Sequence, residues 1–214
     1  NATKLASPPG GLSFPVGSID DIPNLMRPIS DGGILEKNGT VEVISCLTDD
    51  GKIVPYDIRK GVWVCFKAET EYIKRCLKEY KVVTDTSGQY MAMYRRWHMI
   101  GLELGISVAS IGLRGEATGS PQVFNSDVIA TAKRNLSFGE VLDGEGGYMV
   151  FGKLIPANES IKSGYLPLGL ACDLKLKRKV MKDQILCWDD VEINSTLKAY
   201  CLRKEQEEEI RIKK

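Results

Sequence analysis

The segment Lys133-Arg134-Asn135-Leu136 is repeated in kind at Lys177-Arg178-Lys179-Val180. The repeat keeps its register beyond these residues, because Glu140-Val141-Leu142 aligns with Gln184-Ile185-Leu186 without an insertion. Two copies of a basic-basic-x-aliphatic segment, separated by a glycine-rich stretch, predict a small pseudo-symmetric β module. The repeat therefore divides the chain, and we expect one compact unit to begin near Asp127.

The length and composition are those of a globular protein. The chain has 214 residues, of which 43% are hydrophobic and 27% charged, and this length allows one large domain or two modest ones. The formal net charge of +1 argues against nucleic acid or a membrane surface as a partner. No apolar run approaches the roughly 20 residues of a membrane helix. Six scattered cysteines without a CxxC pair are typical of a reducing compartment, so we expect a cytoplasmic protein.

The residues before the repeat predict both loops and strands. Residues 6–33 are rich in proline and glycine, which favours irregular structure. Alternating β-branched residues around Asp49-Asp50-Gly51 predict a hairpin over 41–56. The apolar run at 61–68 predicts a buried strand, and residues 89–97 predict another.

Helices are predicted in both parts of the chain. Residues 70–80 carry their apolar side chains on one stripe and begin with Thr70, so we expect an amphipathic helix capped by that residue. Small residues recur at every fourth position within 99–113, which predicts a helix packed tightly against a neighbour. A last helix is predicted from Ser195, with the acidic run Glu205 to Glu209 as a solvated face.

These elements predict an α+β fold. We expect a mixed sheet with packed helices over residues 1–126. The β module occupies residues 127–194, and a C-terminal helix and tail occupy 195–214.

The densest group of polar side chains in the first half is Tyr94-Arg95-Arg96-Trp97-His98, followed by Glu103. Two adjacent arginines favour the neutral form of His98, which suits a general base or a hydrogen-bond donor to a carbonyl. Arginine also binds phosphate or carboxylate through two parallel hydrogen bonds. The structural alternative is a histidine at a strand-to-helix corner, with its arginines paired to Glu103 or Glu116.

Two features of the repeat region have open interpretations. Asp143-Gly144-Glu145-Gly146-Gly147-Tyr148 is either a loop whose amides approach an anion or a structural turn between strands. The Lys133-Arg134 and Lys177-Arg178 pairs either line one anion-binding groove or protect solvated strand edges. One histidine, scattered cysteines and the lack of an HExxH motif give no metal-ligand spacing.

The chain resembles known protein families at these motifs. Residues 130–148 (ATAKRNLSFGEVLDGEGGY) and 166–193 (LPLGLACDLKLKRKVMKDQILCWDDVEI) resemble a SAF domain, the β-clip module of sialic acid synthase C-termini, type III antifreeze proteins and flagellar P-ring chaperones. Residues 94–119 (YRRWHMIGLELGISVASIGLRGEATG) resemble the substrate-side half of homoserine-dehydrogenase-like oxidoreductases. The combination is similar to 1-deoxy-D-xylulose 5-phosphate reductoisomerase-like proteins, which join a Rossmann domain, a catalytic α/β domain and a C-terminal SAF-like module.

The resemblance implies an NAD(P)-dependent oxidoreductase of about twice this length. Such enzymes bind the nucleotide on an N-terminal strand, glycine-rich turn and helix, but no GxGxxG occurs in this sequence. We therefore expect a C-terminal portion that lacks its Rossmann half and is inactive alone. The start Asn1-Ala2-Thr3-Lys4-Leu5 matches the point where family members continue from that half.

The resemblance also implies site residues, a substrate class and partners. The implied substrate is a small phosphorylated or carboxylated carbonyl compound, and the implied enzyme is a homo-oligomer. If the chemistry is the isomeroreduction of deoxyxylulose phosphate, a divalent metal is also expected. The catalytic candidates are His98 as acid/base or carbonyl polariser, Glu103 as its orienting partner and Arg95 as an anion clamp. The candidates for substrate binding are Arg96, Tyr94, Arg59, Arg114, Glu116, Lys133 and Lys177.

Two alternatives of other classes remain. In the first alternative, the chain is a stand-alone binding protein whose SAF-type module holds a sugar or acidic metabolite through Lys133 and Lys177. Otherwise it is an interaction module in which the helix with Gly101, Gly105 and Ala109 forms a subunit interface.

Overall fold

The computed structural model describes residues 1, 3–97, 101, 103–119 and 121–212. The contacts divide the chain into two compact units: an N-terminal unit of residues 13–120, and a C-terminal unit that combines residues 1–12 with 121–214. The first residues join the C-terminal unit through hydrogen bonds such as Asn125 N to Asn1 Oδ1 (2.8 Å) and Asn125 Nδ2 to the Lys4 carbonyl (3.0 Å). This grouping was not predicted from the sequence.

The predicted α+β class is confirmed. The N-terminal unit contains α1 (Ile22–Leu25), β1 (Val62–Lys67), α2 (Glu71–Glu79), β2 (Val83–Thr84), β3 (Tyr90–Arg95) and α3 (Leu104–Arg114). Its three strands form an antiparallel sheet in the order β1-β3-β2. Parallel pairing among the described residues is limited to two isolated bridges, Val16 with Ser45 and Pro28 with Leu35.

The two faces of this sheet have different surroundings. Ala92, Trp63 and Cys65 face a core that includes Ile22 and Met26 from the end of the proline-rich segment. The opposite face is open at the end that carries Val62, Val64 and Met93, which are 49%, 53% and 54% exposed, whereas Met91 on the same face is buried. The strand predicted over 61–68 is therefore present, but the prediction that it is buried is wrong for one of its faces.

The hairpin predicted over 41–56 forms only in part. Leu47 and Ile53 make one antiparallel bridge around a turn closed by Thr48 N to the Lys52 carbonyl (2.9 Å). Before this bridge the backbone pairs with a different segment of the chain, since Ser45 N donates to the Pro15 carbonyl (2.8 Å). Loop residues distant in sequence therefore take the hydrogen bonds that a longer hairpin would use.

Helix α2 confirms its prediction, whereas α3 contradicts one. Thr70 caps α2, with its hydroxyl oxygen accepting from Ile73 N (3.2 Å). Helix α3 begins at Leu104, and none of its residues is buried. Nothing lies within 4 Å of a Cβ placed at Gly105, so the predicted tight packing of this helix is wrong within the part of the chain that the structure describes.

The C-terminal unit contains two small antiparallel sheets. Strand β4 (Ser126–Ala132) pairs with β6 (Val150–Pro156), and β5 (Val141–Asp143) pairs with β7 (Cys172–Lys175). Two helices complete this unit, α4 (Ala157–Ser163) and α5 (Lys198–Ile212). Its core holds fully buried residues from both copies of the repeat, among them Leu136, Leu142, Val180 and Leu186.

The two copies of the repeat pair with each other. Leu136 N donates to the Val180 carbonyl (2.8 Å), and Val180 N donates back to Leu136 (3.0 Å). The flanking bonds also match under a shift of 44 residues: Ala132 N to the Gln184 carbonyl (2.9 Å) corresponds to Leu176 N to the Glu140 carbonyl (2.8 Å). The repeat therefore forms a pseudo-symmetric hydrogen-bonded core.

The acidic run of α5 is not uniformly solvated. Glu207 is buried and pairs with Arg203 (2.8 Å) and Lys204 (2.9 Å). Arg203 also binds the buried Asp127 of β4 (2.6 Å). The prediction of a solvated acidic face is therefore wrong at Glu207, because a partner from β4 brings this side of the helix into the interior. Among the helices of the described residues, none has the length and apolar character to cross a membrane.

Candidate functional site

Strand β3 carries the predicted arginines to an open cavity. The cavity measures about 480 Å³ and is lined by the apolar residues Val62, Val64, Met93 and Trp63 together with Tyr94, Arg95 and Arg96. Arg95 lies opposite Val62 in the sheet register, so it shares the open face with the exposed valines and Met93. Three of the predicted site residues thus lie at one cavity.

Arg95 has an acidic partner in Glu103. Its Nη2 lies 2.5 Å from Glu103 Oε1, and the two side chains are 67% and 33% exposed. Arg96 instead lies over the ring of Trp97, 4.7 Å from its centroid. The structure therefore brings Arg95, Glu103 and Arg96 close together, and Arg95 makes the ion pair named in the structural alternative.

Arg59 lies beside this group but its guanidinium is engaged. It binds Asp57 (2.9 Å), and the Tyr94 hydroxyl donates to the Arg59 carbonyl (3.4 Å). The hydrogen bond from Arg59 lowers the pKa of the Asp57 carboxyl, and the same bond raises the pKa of Arg59. Arg59 therefore positions Tyr94 and the 57–59 turn rather than offering an unpaired cation.

Of the remaining candidates in the N-terminal unit, Arg114 and Glu116 are described, and neither is joined to this group. His98 lies outside the described residues, so its predicted role stays a prediction. Arg114 ends α3 and Glu116 follows it, with the Ser110 hydroxyl donating to the Glu116 carbonyl (3.1 Å). Within the described ranges, no hydrogen bond or ion pair connects Arg114 or Glu116 with Arg95.

Lys133 and Lys177 belong to the C-terminal unit. Lys133 Nζ donates to the Gly147 carbonyl (2.5 Å), and Lys177 is exposed with no side-chain partner among the described residues. Their neighbours are paired, Arg134 with Glu140 (2.9 Å) and Arg178 with Asp190. The arginines of the two copies thus stabilise the repeat itself.

The glycine-rich loop at 143–148 is occupied by its own carboxylate. Asp143 accepts from the amides of Tyr148 (2.5 Å) and Met149 (3.1 Å). A Cβ at Gly147 would lie 2.2 Å from the Asp143 carboxyl carbon, so glycine is required for this close approach. The geometry is that of the structural turn.

A second polar cluster, which the sequence analysis missed, lies where β1 ends and β3 begins. Lys67 and Tyr90 are direct partners in the sheet register. Asp31, from the 3₁₀ turn Ile29–Asp31, accepts from the Tyr90 hydroxyl and pairs with Lys67 Nζ (3.1 Å). The Lys67 ammonium also lies 5.2 Å from the centroid of the Tyr90 ring.

These contacts set the protonation states of the cluster. Hydrogen bonds from Tyr90 and then Lys67 lower the pKa of Asp31, and the bond to Asp31 raises the pKa of Lys67. Burial, followed by the bond to Asp31, raises the pKa of Tyr90. At neutral pH the cluster therefore holds a carboxylate, a phenol and a partly exposed ammonium, and the ammonium is paired with the carboxylate of Asp31.

Asp85 connects this cluster to Arg27. Its carboxylate accepts from Arg27 Nη1 (2.8 Å), the Ser87 hydroxyl (2.6 Å), Gln89 N (2.9 Å) and Tyr90 N (3.0 Å). Burial opposes ionisation, but the bonds from Ser87 and from the amides of Tyr90, Ser87 and Gln89 lower the pKa of Asp85 overall. We call Arg27, Asp31, Lys67, Asp85 and Tyr90 the polar network.

Only one local signal pointed to the polar network. Asp85-Thr86-Ser87-Gly88 is a turn sequence in which aspartate binds its own following amides. The other members lie far apart in the chain, and their meeting depends on the strand register.

The described residues do not fit a bound dinucleotide. Its usual site is a parallel strand–helix–strand unit with a glycine-rich first turn. All the strand ladders here are antiparallel, and no GxGxxG occurs in the sequence. Within the described ranges, no group of three or more His, Cys, Asp or Glu side chains is placed to hold a metal ion.

Comparison with known proteins concerns the first half of the chain. A comparison with curated protein sequences found no match. A protein-family model described as "Oxidoreductase DRL, catalytic domain" matches residues 1–104, which include the polar network, Arg95 and Glu103. The match supports an oxidoreductase catalytic domain in this part of the chain.

Proposed function

We propose that this chain is the C-terminal portion of an NAD(P)-dependent oxidoreductase similar to 1-deoxy-D-xylulose 5-phosphate reductoisomerase. Its substrate is a small carbonyl compound that carries a phosphate or carboxylate group. The observation that carries the proposal is that the oxidoreductase family match spans both Arg95 with its cavity and the polar network. An apolar cavity with a few convergent polar groups is the usual form of a small-molecule site.

The side chains have distinct roles in this proposal. Arg95 and Arg96 bind the anionic group of the substrate, because guanidinium donors match the oxygens of phosphate and carboxylate. Glu103 orients Arg95 through their ion pair. His98 acts as acid/base, and Tyr94 completes the cavity wall. Arg59, Arg114 and Glu116 have supporting roles, and the substrate enters from the open face of the sheet.

The nucleotide binds, in this proposal, to a Rossmann half outside these 214 residues. The antiparallel sheet offers no site for it, so hydride transfer requires that other half. The open apolar face of β1 and β3 supports the proposal, because an exposed apolar patch on a sheet marks a surface that binds another component.

The first test compares this chain with the polypeptide of the complete reading frame. We expect the complete polypeptide to bind NADPH, measured by nucleotide fluorescence, and to oxidise it when 1-deoxy-D-xylulose 5-phosphate is added. We expect the 214-residue chain to do neither. Micromolar NADPH binding by the 214-residue chain would contradict the missing-half proposal.

A second test concerns Arg95. Replacing it with methionine in the complete polypeptide removes a charge-assisted bond, which contributes about 1.5–3 kcal/mol. We therefore expect the KM for 1-deoxy-D-xylulose 5-phosphate to rise about tenfold or more. Arg134→Met is the matched control, since Arg134 is also an exposed arginine paired with one carboxylate, Glu140, and it does not line the cavity. Equal KM values in both variants would exclude Arg95 as an anion clamp.

We further propose that residues 127–194 form a SAF-like β-clip module, which the pairing of the two repeat copies supports. The alternative function, a stand-alone sugar or acidic-metabolite binding module, depends on Lys133 and Lys177. The exposed Lys177 favours it, whereas the bond from Lys133 to Gly147 does not. We also propose that the intact enzyme is a cytoplasmic homo-oligomer.

A further inference from the structure

A cavity that none of the assigned roles uses lies between α2 and the β2–β3 turn. It measures about 490 Å³, within the range of about 300–1,000 Å³ typical of ligand sites. Helix α2 contributes Lys74, Arg75 and Lys78 together with Glu71, and residues 84–88, from the end of β2 and the turn, line the other side. The buried Met91 of β3 also lines the cavity. The lining is therefore basic on one side and rich in hydroxyl groups on the other.

The charges of this cavity do not cancel. Lys74 is paired with Glu71 (2.5 Å), and Asp85 already accepts hydrogen bonds from Arg27 and Ser87. In the part of the chain that the structure describes, Arg75 and Lys78 have neither an ion pair nor a hydrogen-bonded side-chain partner. Two positive charges thus face the cavity without compensation.

We propose that this cavity binds the phosphate group of a ligand. A phosphate monoester carries about −1.5 to −2 charges near neutral pH, which matches the two uncompensated cations. Its oxygens accept hydrogen bonds from a guanidinium and an ammonium together. The hydroxyls of Thr84 and Thr86 add neutral donors, whereas Ser87 already donates to Asp85. A carboxylate has a single charge and would leave one cation unmatched.

The wall of the cavity is held in place before a ligand binds. Asp85 accepts from Ser87 and from the amides of Gln89 and Tyr90, so the turn has a defined shape. Ordered donors lower the entropic cost of binding. The site lies on the face of β3 that also carries Arg95, because Met91 and Arg95 are four positions apart in the strand. They are about 13 Å apart by strand rise.

Binding of glycerol 3-phosphate to the full 214-residue chain tests the proposal by calorimetry at low ionic strength. We expect glycerol 3-phosphate and inorganic phosphate to bind, and glycerol and acetate to give no heat. The variant Arg75→Gln/Lys78→Gln should raise the Kd for glycerol 3-phosphate about tenfold or more, since charge-assisted bonds are lost. Glutamine preserves helix propensity, and circular dichroism checks that the fold is retained.

The control variant is Lys37→Ala/Lys179→Ala. It removes two exposed positive charges that do not line the cavity, so its Kd should stay within about twofold of the wild type. Equal weakening in both variants would show general charge attraction and overturn the proposal. Acetate binding as tight as phosphate, or no phosphate binding at millimolar concentration, would also overturn it. The readout is binding alone, so it is independent of NAD(P) and of the proposed reaction.

Discussion

Replacement of Arg203 by methionine is expected to lower the free energy of unfolding by about 3–5 kcal/mol. Arg203 lies between two buried carboxylates, Asp127 at 2.6 Å and Glu207 at 2.8 Å. Methionine keeps much of the side-chain volume but removes the charge. Breaking a buried pair by removing one partner leaves an uncompensated charge in the interior, which is strongly destabilising. Urea denaturation followed by circular dichroism measures the change.

Two controls separate this effect from a general effect of mutation. Glu208→Gln alters an exposed residue of the same helix and should change stability by no more than about 0.5 kcal/mol. The triple variant Asp127→Asn/Arg203→Met/Glu207→Gln removes all three charges, so it should recover part of the loss. A loss below about 1 kcal/mol for Arg203→Met would contradict a buried ionic network.

The same network predicts a pH dependence. Burial opposes the ionised form of Glu207, but bonds from Arg203 and Lys204 outweigh it and lower its pKa below the ordinary 4.5. A lowered carboxyl pKa contributes stability that is present above pH 4.5 and is lost as the pH falls through the lower, folded-state pKa. The unfolding free energy of Arg203→Met should fall less steeply over this acidic range than that of the wild type.

Replacement of Asp85 by alanine is expected to cost about 3–5 kcal/mol of unfolding free energy. The Asp85 side chain is 0% exposed and Arg27 is 17% exposed, so alanine would leave a guanidinium and two backbone amides without their acceptor. A buried polar group that is left without a hydrogen-bond partner lowers the folding stability by its full desolvation penalty. Thermal or urea unfolding measures the change.

The matched control for Asp85 is Asp50→Ala, which removes a turn aspartate whose side chain is 56% exposed. It should cost no more than about 1 kcal/mol. The double variant Arg27→Met/Asp85→Ala should be less destabilised than the sum of its single variants, because the two residues share one interaction. Strict additivity would show that the Arg27–Asp85 bond is not the source of the loss.

Local patterns in the sequence were sufficient for part of the fold. Helix α2 and its Thr70 cap, and the strands β1 and β3, were predicted because their signals lie within a few neighbouring residues. The repeat was also predicted, since identical spacing in the two copies places equivalent groups opposite each other. The grouping of Tyr94, Arg95 and Arg96 at one cavity followed from their adjacency in sequence at the end of β3.

Packing predictions from the same patterns were less successful. The small residues of α3 fit a close helix contact, yet the helix has no buried residue. Glu207 belongs to an acidic run that is typical of a solvated face, yet it is buried by its bonds to Arg203 and Lys204. Spacing shows which side chains share a face, but it does not show whether another element covers that face.

The amino-acid sequence by itself determined the α+β class, the α2 helix and the strands β1 and β3, because these depend on short-range periodicity and caps, and its repeat predicted the pseudo-symmetric module. Only the tertiary structure decided that Asp31, Lys67 and Tyr90 meet, and that Arg203 lies between Asp127 and Glu207. The physical reason is that ion pairs act over a few ångströms. Residues that are far apart in sequence come within this range of each other only through strand register and helix packing.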